Sequence, residues 1–411
     1  MEREQAQRRT VGTLMLSTAF ANAGYVAVAA IAGLLAAEML GSDRWAGLPA
    51  AAATLGTALA AAPLALRARR RGRRTGIATG YAIAALGGIV AVLAGQSALF
   101  GLLIVAMALM GAGQASSLQS RFAAADLADD NHRARAIAMV VWVGTIGAVL
   151  GPPASVWAND LGISIGLANW VGPLFLGLVG FAVAAVVVTR RLRPDPLELA
   201  GGVDREAPFE NPLRGMRRSW SAIWPNPMAR LALVAMAISQ MAMVAVMTMT
   251  PLHMRDHGHA ELSTLVISVH VLGMFGLAPL VGIWADRFGR VQTIAVGAGI
   301  LALGTVSVVI AGYIPALMFV GLFLLGLGWS FALIAGSALL TGSVALEQRV
   351  GAQGLADVSM SVLGAVAALS SGVIKETIGY HWLANFATIA AFLILMATAI
   401  LKTRTPASAV G

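Results

Sequence analysis

Long apolar runs recur along this chain, and each is long enough to cross a lipid bilayer as an α-helix. A crossing needs about 20 apolar residues, and short polar segments separate runs of this length. Polar residues do not alternate with apolar ones inside the runs, which argues against a membrane β-barrel. The sequence therefore predicts an all-α integral membrane protein with twelve spans, numbered here 1 to 12, at 11–35, 45–66, 76–95, 98–120, 136–158, 166–189, 228–252, 262–283, 291–312, 314–340, 350–374 and 382–401.

The composition agrees with this membrane class. Of 411 residues, 58% are hydrophobic and 11% are charged, whereas soluble domains carry about 25% charged residues. The 46 glycines let helix backbones approach one another closely in lipid. The first apolar run, from Val11, is too long for a cleaved signal sequence, so we expect it to remain as span 1.

The distribution of basic residues predicts the orientation. Most arginines fall in loops on one side of the predicted topology, including the cluster at 67–74, and the other side keeps Arg44, Arg255 and Lys375. Basic loops stay in the cytoplasm, so both termini are expected there. The net charge of +9 is explained by these loops, and we expect no nucleic-acid partner.

A long polar segment, 190–227, divides the chain into two halves with six predicted spans each. We therefore predict an N-terminal bundle at 1–189, a cytoplasmic linker at 190–227 and a C-terminal bundle at 228–411. Transporters built as repeats bind their substrate near the middle of the membrane, between the repeats.

The segment Gly282-Ile-Trp-Ala-Asp-Arg-Phe-Gly-Arg290 forms a charged loop after predicted span 8. It resembles the loop motif of the major facilitator superfamily, which lies between the second and third helices of each half. The resemblance implies a secondary transporter of the bacterial inner membrane, not an enzyme. It assigns a conformational latch to five residues: Gly282, Asp286, Arg287, Gly289 and Arg290. The first-half counterpart at 67–74 keeps Gly72 but has Arg69 where an acid would stand, so the latch is expected in one half.

Span 5 contains Gly144, Gly147, Gly151 and Pro152. This pattern resembles part of the antiporter motif of drug exporters in the same superfamily, and it predicts a glycine-lined face and a proline bend. The second part of that motif is absent, and span 4 lacks the exporters' intramembrane arginine. Arg121 lies nearer the cytoplasmic end, where we expect it to bind Asp126 or a lipid phosphate.

Two pairs of side chains in predicted spans 7 and 8 suit a soft metal ion. Met243 and Met247 are four residues apart, as are His270 and Met274, and such pairs share a helix face. With no cysteine in the chain, soft-metal chemistry must use methionine and histidine. The pairs resemble the Met-x-x-x-Met and His-x-x-x-Met signatures of the CcoA-like (CalT) copper importers. That resemblance implies that these four residues bind copper, although the same branch contains riboflavin importers.

Each candidate also has a simpler explanation. The 18 methionines include flexible core fillers. His270 is the one histidine that we place inside a span, and burying an ionisable group there costs about 2–3 kcal/mol unless it is paired. It therefore suits a substrate ligand, a proton relay or a structural hydrogen bond.

Further polar residues are predicted to serve the transport path. The turn after span 7 carries His253, Met254, His257 and His259, which are candidates for capturing metal outside; the alternative is a solvated turn in which Asp256 pairs with a histidine. Asp357, two turns into span 11, is a candidate for proton coupling, or else a helix cap or a hydrated residue. Residues of the first half expected to face a cavity are Asn22, Tyr25, Gln114, Gln119, Trp142 and Thr145.

The sequence thus favours copper uptake by alternating access, with copper as the transported substrate and no cofactor. The alternatives are import of an organic solute such as riboflavin, with His270 as a hydrogen-bonding group, and proton-coupled drug export. An aromatic-lined cavity without convergence of Met and His would favour the organic solute. The expected partners are the copper ion or small organic solute and the lipid bilayer, and the chain is expected to be a monomer.

Overall fold

A computed structural model describes residues 2–41, 45, 47–206, 211–259, 262–311 and 314–404 of the chain. Residues 207–210 of the predicted linker lie outside this set. The described residues form helices and no strand. The α-helices are α1 (Glu2–Leu40), α2 (Leu48–Arg71), α3 (Arg73–Ser97), α4 (Phe100–Ala123), α5 (Arg133–Trp142), α6 (Gly144–Ser164), α7 (Gly172–Arg191), α8 (Pro196–Leu199), α9 (Pro212–Ile223), α10 (Pro227–Asp256), α11 (Ser263–Val271), α12 (Ala278–Phe288), α13 (Arg290–Ala311), α14 (Pro315–Ser343), α15 (Leu346–Thr377) and α16 (Tyr380–Arg404).

The start of α10 shows how local sequence sets these boundaries. Pro227 is its first residue, where the missing N–H of proline removes no helical hydrogen bond. The Asn226 side chain accepts hydrogen bonds from the backbone N–H groups of Met228 and Ala229, at 3.0 and 3.2 Å. Since these N–H groups have no partner inside the helix, Asn226 acts as the N-cap.

Within the described ranges, twelve helical segments are long and apolar enough to cross a membrane. This confirms the predicted all-α fold with twelve spans. Two spans are irregular. Span 5 breaks at Val143, between α5 and α6, and span 8 contains a π-helical turn, Leu272–Gly276, between α11 and α12. Pro152 lies inside α6, so the bend expected there stays a prediction.

The glycines of α6 pack this helix against α1. A methyl group on Gly147 would lie 2.9 Å from the backbone carbonyl carbon of Asn22, and one on Gly151 would lie 2.6 Å from Val26 Cγ1. Both distances are shorter than ordinary van der Waals contact, so only glycine allows this approach. The predicted glycine-lined face is present, and close helix packing accounts for it.

Contacts group the chain into two compact units. The first contains residues 1–127, 143–219 and 346–361, with α1 packed against α6 and α7, and α3 against α4. The second contains residues 128–142, 220–345 and 362–411, with α14 packed against α10 and α13. The units thus differ from a simple division at 190–227, since α5 belongs to the second and the start of α15 to the first.

Candidate functional site

His270 lies at the end of α11 and is completely buried. Its Nδ1–H donates a hydrogen bond to the carbonyl oxygen of Leu322 in α14, at 2.7 Å. Its Nε2 is also buried and has no hydrogen-bond partner among the described residues. With Nδ1 holding the proton, the neutral ring presents a lone pair on Nε2. That nitrogen can bind a metal or accept a hydrogen bond from a ligand.

The π-helical turn Leu272–Gly276 follows directly and contains Met274, which is 9% exposed. This turn lies against α14 without intervening side chains. A methyl group on Gly326 would lie 2.4 Å from the His270 carbonyl oxygen and 3.0 Å from the Met274 nitrogen. Single π-helical turns are frequent at functional sites. The fold therefore brings His270 and Met274 together beside one helix, α14.

The methionine pair of predicted span 7 lies on α10. Met243 is 4% exposed and Met247 is half-buried, and α10 packs against α14 and α16. Among the described residues no group of three or more His, Asp or Glu side chains is placed to hold a metal ion. Binding of copper by Met243, Met247, His270 and Met274 stays a prediction.

Trp329, which is 5% exposed in the middle of α14, contacts side chains of two other elements of the second unit. The indole Nε1–H donates to Gln240 Oε1 of α10, at 2.7 Å. The Phe275 ring, from the π-helical turn, contacts the indole edge to face, with centroids 5.8 Å apart. A methyl group on Gly364 of α15 would lie 3.5 Å from Gln240 Nε2. The group of Gln240, Phe275 and Trp329 is called here the Trp329 cluster.

This cluster was not predicted from the sequence, although a signal was present. Tryptophans near span ends are commonly interfacial anchors, but Trp329 lies well inside predicted span 10. Gln240 likewise interrupts the apolar run of span 7. A polar side chain inside a membrane helix requires a partner, and an indole N–H is one of few groups that can reach it there.

The comparisons with known proteins agree with the twelve-span architecture. A profile of the Major Facilitator Superfamily matches residues 14–314 and 233–410. The chain belongs to the major facilitator superfamily. It is a secondary membrane transporter and not an enzyme. Multi-pass membrane insertion is thereby confirmed, while the bacterial inner membrane and cytoplasmic termini remain predictions.

Relatives and a solved structure cover nearly the whole transporter. The uncharacterized MFS-type transporter YdeG of Bacillus subtilis (strain 168) is 36% identical over 394 residues, covering 94% of this chain and 90% of that protein. The riboflavin transporter RfnT of Brucella anthropi is 29% identical over 385 residues, covering 92% of each. The human organic anion transporter MFSD10 shares the fold, with a TM-score of 0.77, 16% identity, and coverage of 96% of this chain and 99% of that one.

Asp286 of the superfamily motif caps a helix from the first half of the sequence. Its two carboxylate oxygens accept hydrogen bonds from the backbone N–H groups of Ala134 and Arg135, both at 2.9 Å. These donors begin α5, so the carboxylate also meets the positive end of the helix dipole. Nearby, a methyl group on Gly282 would lie 2.6 Å from Ala138 Cβ. These contacts explain why α5 belongs to the second unit.

The predicted charged loop at Gly282–Arg290 is wrong in its local structure, since all but one residue are helical. Only Gly289 interrupts the helices, with a φ of 91° that favours glycine. Arg290 begins α13 and donates to the Asp130 carbonyl oxygen at 2.6 Å. Arg287 is exposed, with its guanidinium 5.5 Å from the centre of the Phe288 ring. The structure thus gives Asp286 and Arg290 long-range partners, but Arg287 only a neighbour.

The counterpart of this motif in the first half, at 67–74, has the same glycine break between two helices. It carries a positive charge where the motif carries Asp286. Gly72 has a φ of 87° and separates α2 from α3, as Gly289 separates α12 from α13. Arg69, at the position equivalent to Asp286, pairs with Asp204 of the linker at 2.8 Å. A guanidinium cannot accept hydrogen bonds from a helix N-terminus, so this half lacks the cap that Asp286 provides.

Asp357 is completely buried and pairs with Arg121 of α4, with 2.6 Å between Oδ1 and Nη2. The expected pairing of Arg121 with Asp126 is wrong, because Arg73 occupies Asp126 through bonds of 2.7 and 3.1 Å. Arg73 also donates to Gln353 at 2.5 Å. Two residues therefore hold the start of α15 to the first unit, since Gln353 is bonded to Arg73 and Asp357 to Arg121.

The predicted solvated turn at His253–His259 is also wrong in part. His253 and Met254 still belong to α10 and are 5% and 2% exposed, so His270 is not the one buried histidine of a span. The His253 ring stacks on Tyr380, with centroids 4.2 Å apart. Asp256 pairs with Lys375 at 2.5 Å. Only His257, at the C-cap, and His259 are half-exposed, so they alone match a capture role outside.

The polar residues predicted for the first half have mixed environments. Tyr25 lines a cavity of about 390 Å³ whose other walls are largely alanine. Gln119 donates to the Ala61 carbonyl oxygen at 2.9 Å, which gives it a structural role. Gln114 Nε2 and Thr145 Oγ1 are buried and have no hydrogen-bond partner among the described residues.

Proposed function

We propose that this transporter carries an organic solute with a planar ring that forms hydrogen bonds, of the flavin class. The Trp329 cluster is the observation that carries the proposal. Trp329 and Phe275 supply aromatic surface, and planar rings bind to such surfaces by offset or edge-to-face stacking. Gln240 uses its Oε1 for Trp329, so its amide N–H groups remain as donors for a carbonyl oxygen of the solute.

His270, at the end of α11 and bonded to α14, adds an acceptor. Its Nε2 lone pair suits an N–H or O–H donor of the solute, because Nδ1–H is already bonded to Leu322. A site built to satisfy both donors and acceptors discriminates strongly against solutes that lack them. The similarity to the riboflavin transporter RfnT, at 29% identity over 92% of each chain, supports this choice of solute class.

Uptake of radiolabelled riboflavin by proteoliposomes tests the proposal. Trp329→Phe keeps most of the ring surface and removes the N–H that binds Gln240. We expect uptake affinity to fall about tenfold, because a buried amide oxygen is left without its donor. Trp157→Phe, at a side chain 63% exposed, serves as the control. Absence of riboflavin uptake would contradict the proposal. Riboflavin uptake that other flavins do not inhibit would contradict it as well.

Copper uptake is the second candidate, and His270 is the observation that favours it. Metal-binding histidines commonly donate their other ring N–H to a carbonyl oxygen, as His270 does to Leu322. The adjacent Met274 offers a thioether, which suits Cu(I). Met243 and Met247 complete the predicted set, and the half-exposed His257 and His259 would capture the ion outside.

One substitution separates the two candidates. Met274→Leu removes the thioether and keeps the volume. A copper carrier should lose most copper accumulation with this variant, whereas a flavin carrier should keep its riboflavin uptake. Both solutes are measured in the same cells with equal protein levels, and His270→Ala is expected to impair whichever is transported. Full copper accumulation in Met274→Leu and His270→Ala would exclude the copper assignment.

Proton coupling through Asp357 is proposed for either substrate. Protonation would neutralise the carboxylate and release Arg121 from the bond of 2.6 Å. The ion pair connects α4 to α15, which lie in different halves of the sequence, so breaking it is a means of coupling proton binding to alternating access. Drug export receives no comparable support, because packing against α1 accounts for the glycines of α6.

A further inference from the structure

Helix α9, in the linker, is held to the protein along one face. Met216 packs against a cluster of buried residues, Ala61, Leu64, Ala115 and Val358. Ser219 is 8% exposed, and a methyl group on Gly351 would lie 2.6 Å from its Oγ. Residues 216 and 219 are three apart and therefore share a face. This contact fixes which side of α9 is left uncovered.

The uncovered side of α9 is rich in apolar surface. Leu213 is 72% exposed, and Trp220 and the following Trp224 are each 46% exposed. The two indole rings stack on one another, with centroids 4.8 Å apart and planes at 16°. Spacings of seven and four residues place these three side chains along one stripe. Contiguous exposed apolar surface of this kind marks a contact with a partner or a membrane.

Positive charge accompanies this stripe. Arg214 and Arg217 are exposed on α9, and the guanidinium of Arg230 lies 5.4 Å from the centre of the Trp224 ring. The sequence contains no aspartate or glutamate between residues 211 and 255. A basic helix with tryptophan and leucine on its apolar side is typical of helices that lie in the membrane interface.

The position in the chain selects a membrane over a soluble partner. Only residues 224–226 separate α9 from α10, which is long and apolar enough to cross the bilayer. A helix that ends so close to a span lies at the membrane boundary, where tryptophan is enriched. Arginine at this level binds phosphate groups through paired hydrogen bonds, and its charge is attracted to anionic lipid.

We propose that α9 binds the membrane surface through anionic phospholipid headgroups. Leu213, Trp220 and Trp224 enter the interface, and Arg214, Arg217 and Arg230 contact the phosphates. This surface is called here the lipid-binding face of α9. The contact would anchor the linker between the two sequence halves at the bilayer, whichever substrate the transporter carries.

The absence of cysteine from the native chain allows a direct test by spin labelling. Leu213→Cys places a nitroxide on the lipid-binding face, and Leu199→Cys, at a leucine of α8 that is 52% exposed, is the matched control in the same linker. The purified full chain is reconstituted in phosphatidylcholine vesicles with and without phosphatidylglycerol. Power saturation then compares collision of each nitroxide with oxygen, which partitions into lipid, and with a water-soluble nickel complex.

The expected result is a higher ratio of oxygen to nickel collisions at position 213 than at 199, and a further rise at 213 with phosphatidylglycerol. Replacing Arg214 and Arg217 by glutamine should remove that rise, since each basic residue changes membrane affinity about fivefold. A label at Pro225, exposed between α9 and α10, gives a second position if Leu213→Cys lowers the yield of folded protein. Equal ratios of oxygen to nickel collisions at 213 and 199 in both vesicles would overturn the proposal. Shielding of the label at 213 from the nickel complex only in native membranes would also overturn it, because that result indicates a protein partner.

Discussion

Arg121 and Asp357 form an ion pair that is shielded from solvent on both sides. The side chains are 2% and 0% exposed, and Nη2 lies 2.6 Å from Oδ1. Arg121 also donates to the Leu118 carbonyl oxygen at 2.7 Å, whereas Asp357 Oδ2 has no hydrogen-bond partner among the described residues. Each charge is the direct ionic partner of the other, so removing either one leaves the other buried without its counterion.

Asp357→Asn should destabilise the transporter strongly. The substitution leaves Arg121 buried without its carboxylate, and breaking such a pair costs about 3–5 kcal/mol. Thermal unfolding in detergent is expected at a clearly lower temperature. Adding Arg121→Gln should restore much of the loss, because both charges are then absent. Arg8→Gln, at an exposed pair with Glu4, is the control. Unfolding of Asp357→Asn at the wild-type temperature would show that the pair is not formed.

The proton-coupling role makes a separate prediction for the double variant. Arg121→Gln/Asp357→Asn keeps a neutral hydrogen-bonding pair but has no carboxylate to protonate. Substrate exchange across proteoliposomes should continue, while accumulation driven by a proton gradient should be lost. Measuring both in the same vesicle preparation separates coupling from folding. Gradient-driven accumulation at the wild-type level would assign the proton to another group.

Asp286 and Arg69 occupy equivalent positions in the two halves. Replacing each by alanine should nevertheless lower the stability of the protein by different amounts. Asp286→Ala leaves the N–H groups of Ala134 and Arg135 without their acceptor, and loss of a helix cap costs about 0.5–2 kcal/mol. Asp286→Asn should retain most of the stability because asparagine also caps helices. Arg69→Ala breaks a pair in which Arg69 is buried but Asp204 is 39% exposed; the carboxylate left behind stays hydrated, so the loss is about 1 kcal/mol or less. Equal shifts in unfolding temperature for Asp286→Ala and Arg69→Ala would contradict this difference.

The twelve spans and the superfamily could be predicted from the sequence because both depend on local information. Span length and apolar composition determine insertion in the membrane, and the segment 282–290 is contiguous. The π-helical turn at Leu272–Gly276 was not predicted, since its residues are compatible with an ordinary helix. The break at Val143 was not predicted for a similar reason, because the stronger sequence signal for a bend in that span was Pro152.

Side-chain partners far apart in sequence could not be predicted. Arg121 and Asp357 are separated by 236 positions, and Gln240 and Trp329 by 89. The sequence shows that each polar group in a span needs a partner, but several candidates satisfy that need equally well. Arg121 was assigned to Asp126 because the two are close in sequence, whereas the fold gives Asp126 to Arg73. His270 was identified as buried, and its bond to the Leu322 carbonyl oxygen required the packing of α14.

Alanine substitutions of His253 and His259 should have different effects on stability, because His253 is buried in packed structure and His259 is half-exposed. His253 stacks on Tyr380, whose hydroxyl lies 2.8 Å from Thr250 Oγ1. His253→Ala should lower the unfolding temperature, since it removes a buried ring from a packed aromatic pair. His259→Ala should leave stability unchanged and should reduce copper uptake at low copper concentration if the transporter carries copper. Destabilisation by His259→Ala equal to that by His253→Ala would contradict the assignment.

The contact between α14 and the π-helical turn should depend on Gly326. In Gly326→Ala the new methyl group would lie 2.4 Å from the His270 carbonyl oxygen, so α14 and the turn must move apart. Overpacking of this kind costs about 1–3 kcal/mol, and it displaces His270 and Met274 together with the backbone that carries them. We expect lower thermal stability and a larger loss of transport than stability alone explains, since both proposed substrates depend on His270.

Gly299→Ala in α13 is the matched control, because a methyl group there meets nothing within 4 Å and alanine favours a helix by about 0.5–1 kcal/mol. Uptake in proteoliposomes, normalised to folded protein, compares the two variants. Wild-type uptake by Gly326→Ala would mean that the position of this turn does not limit transport.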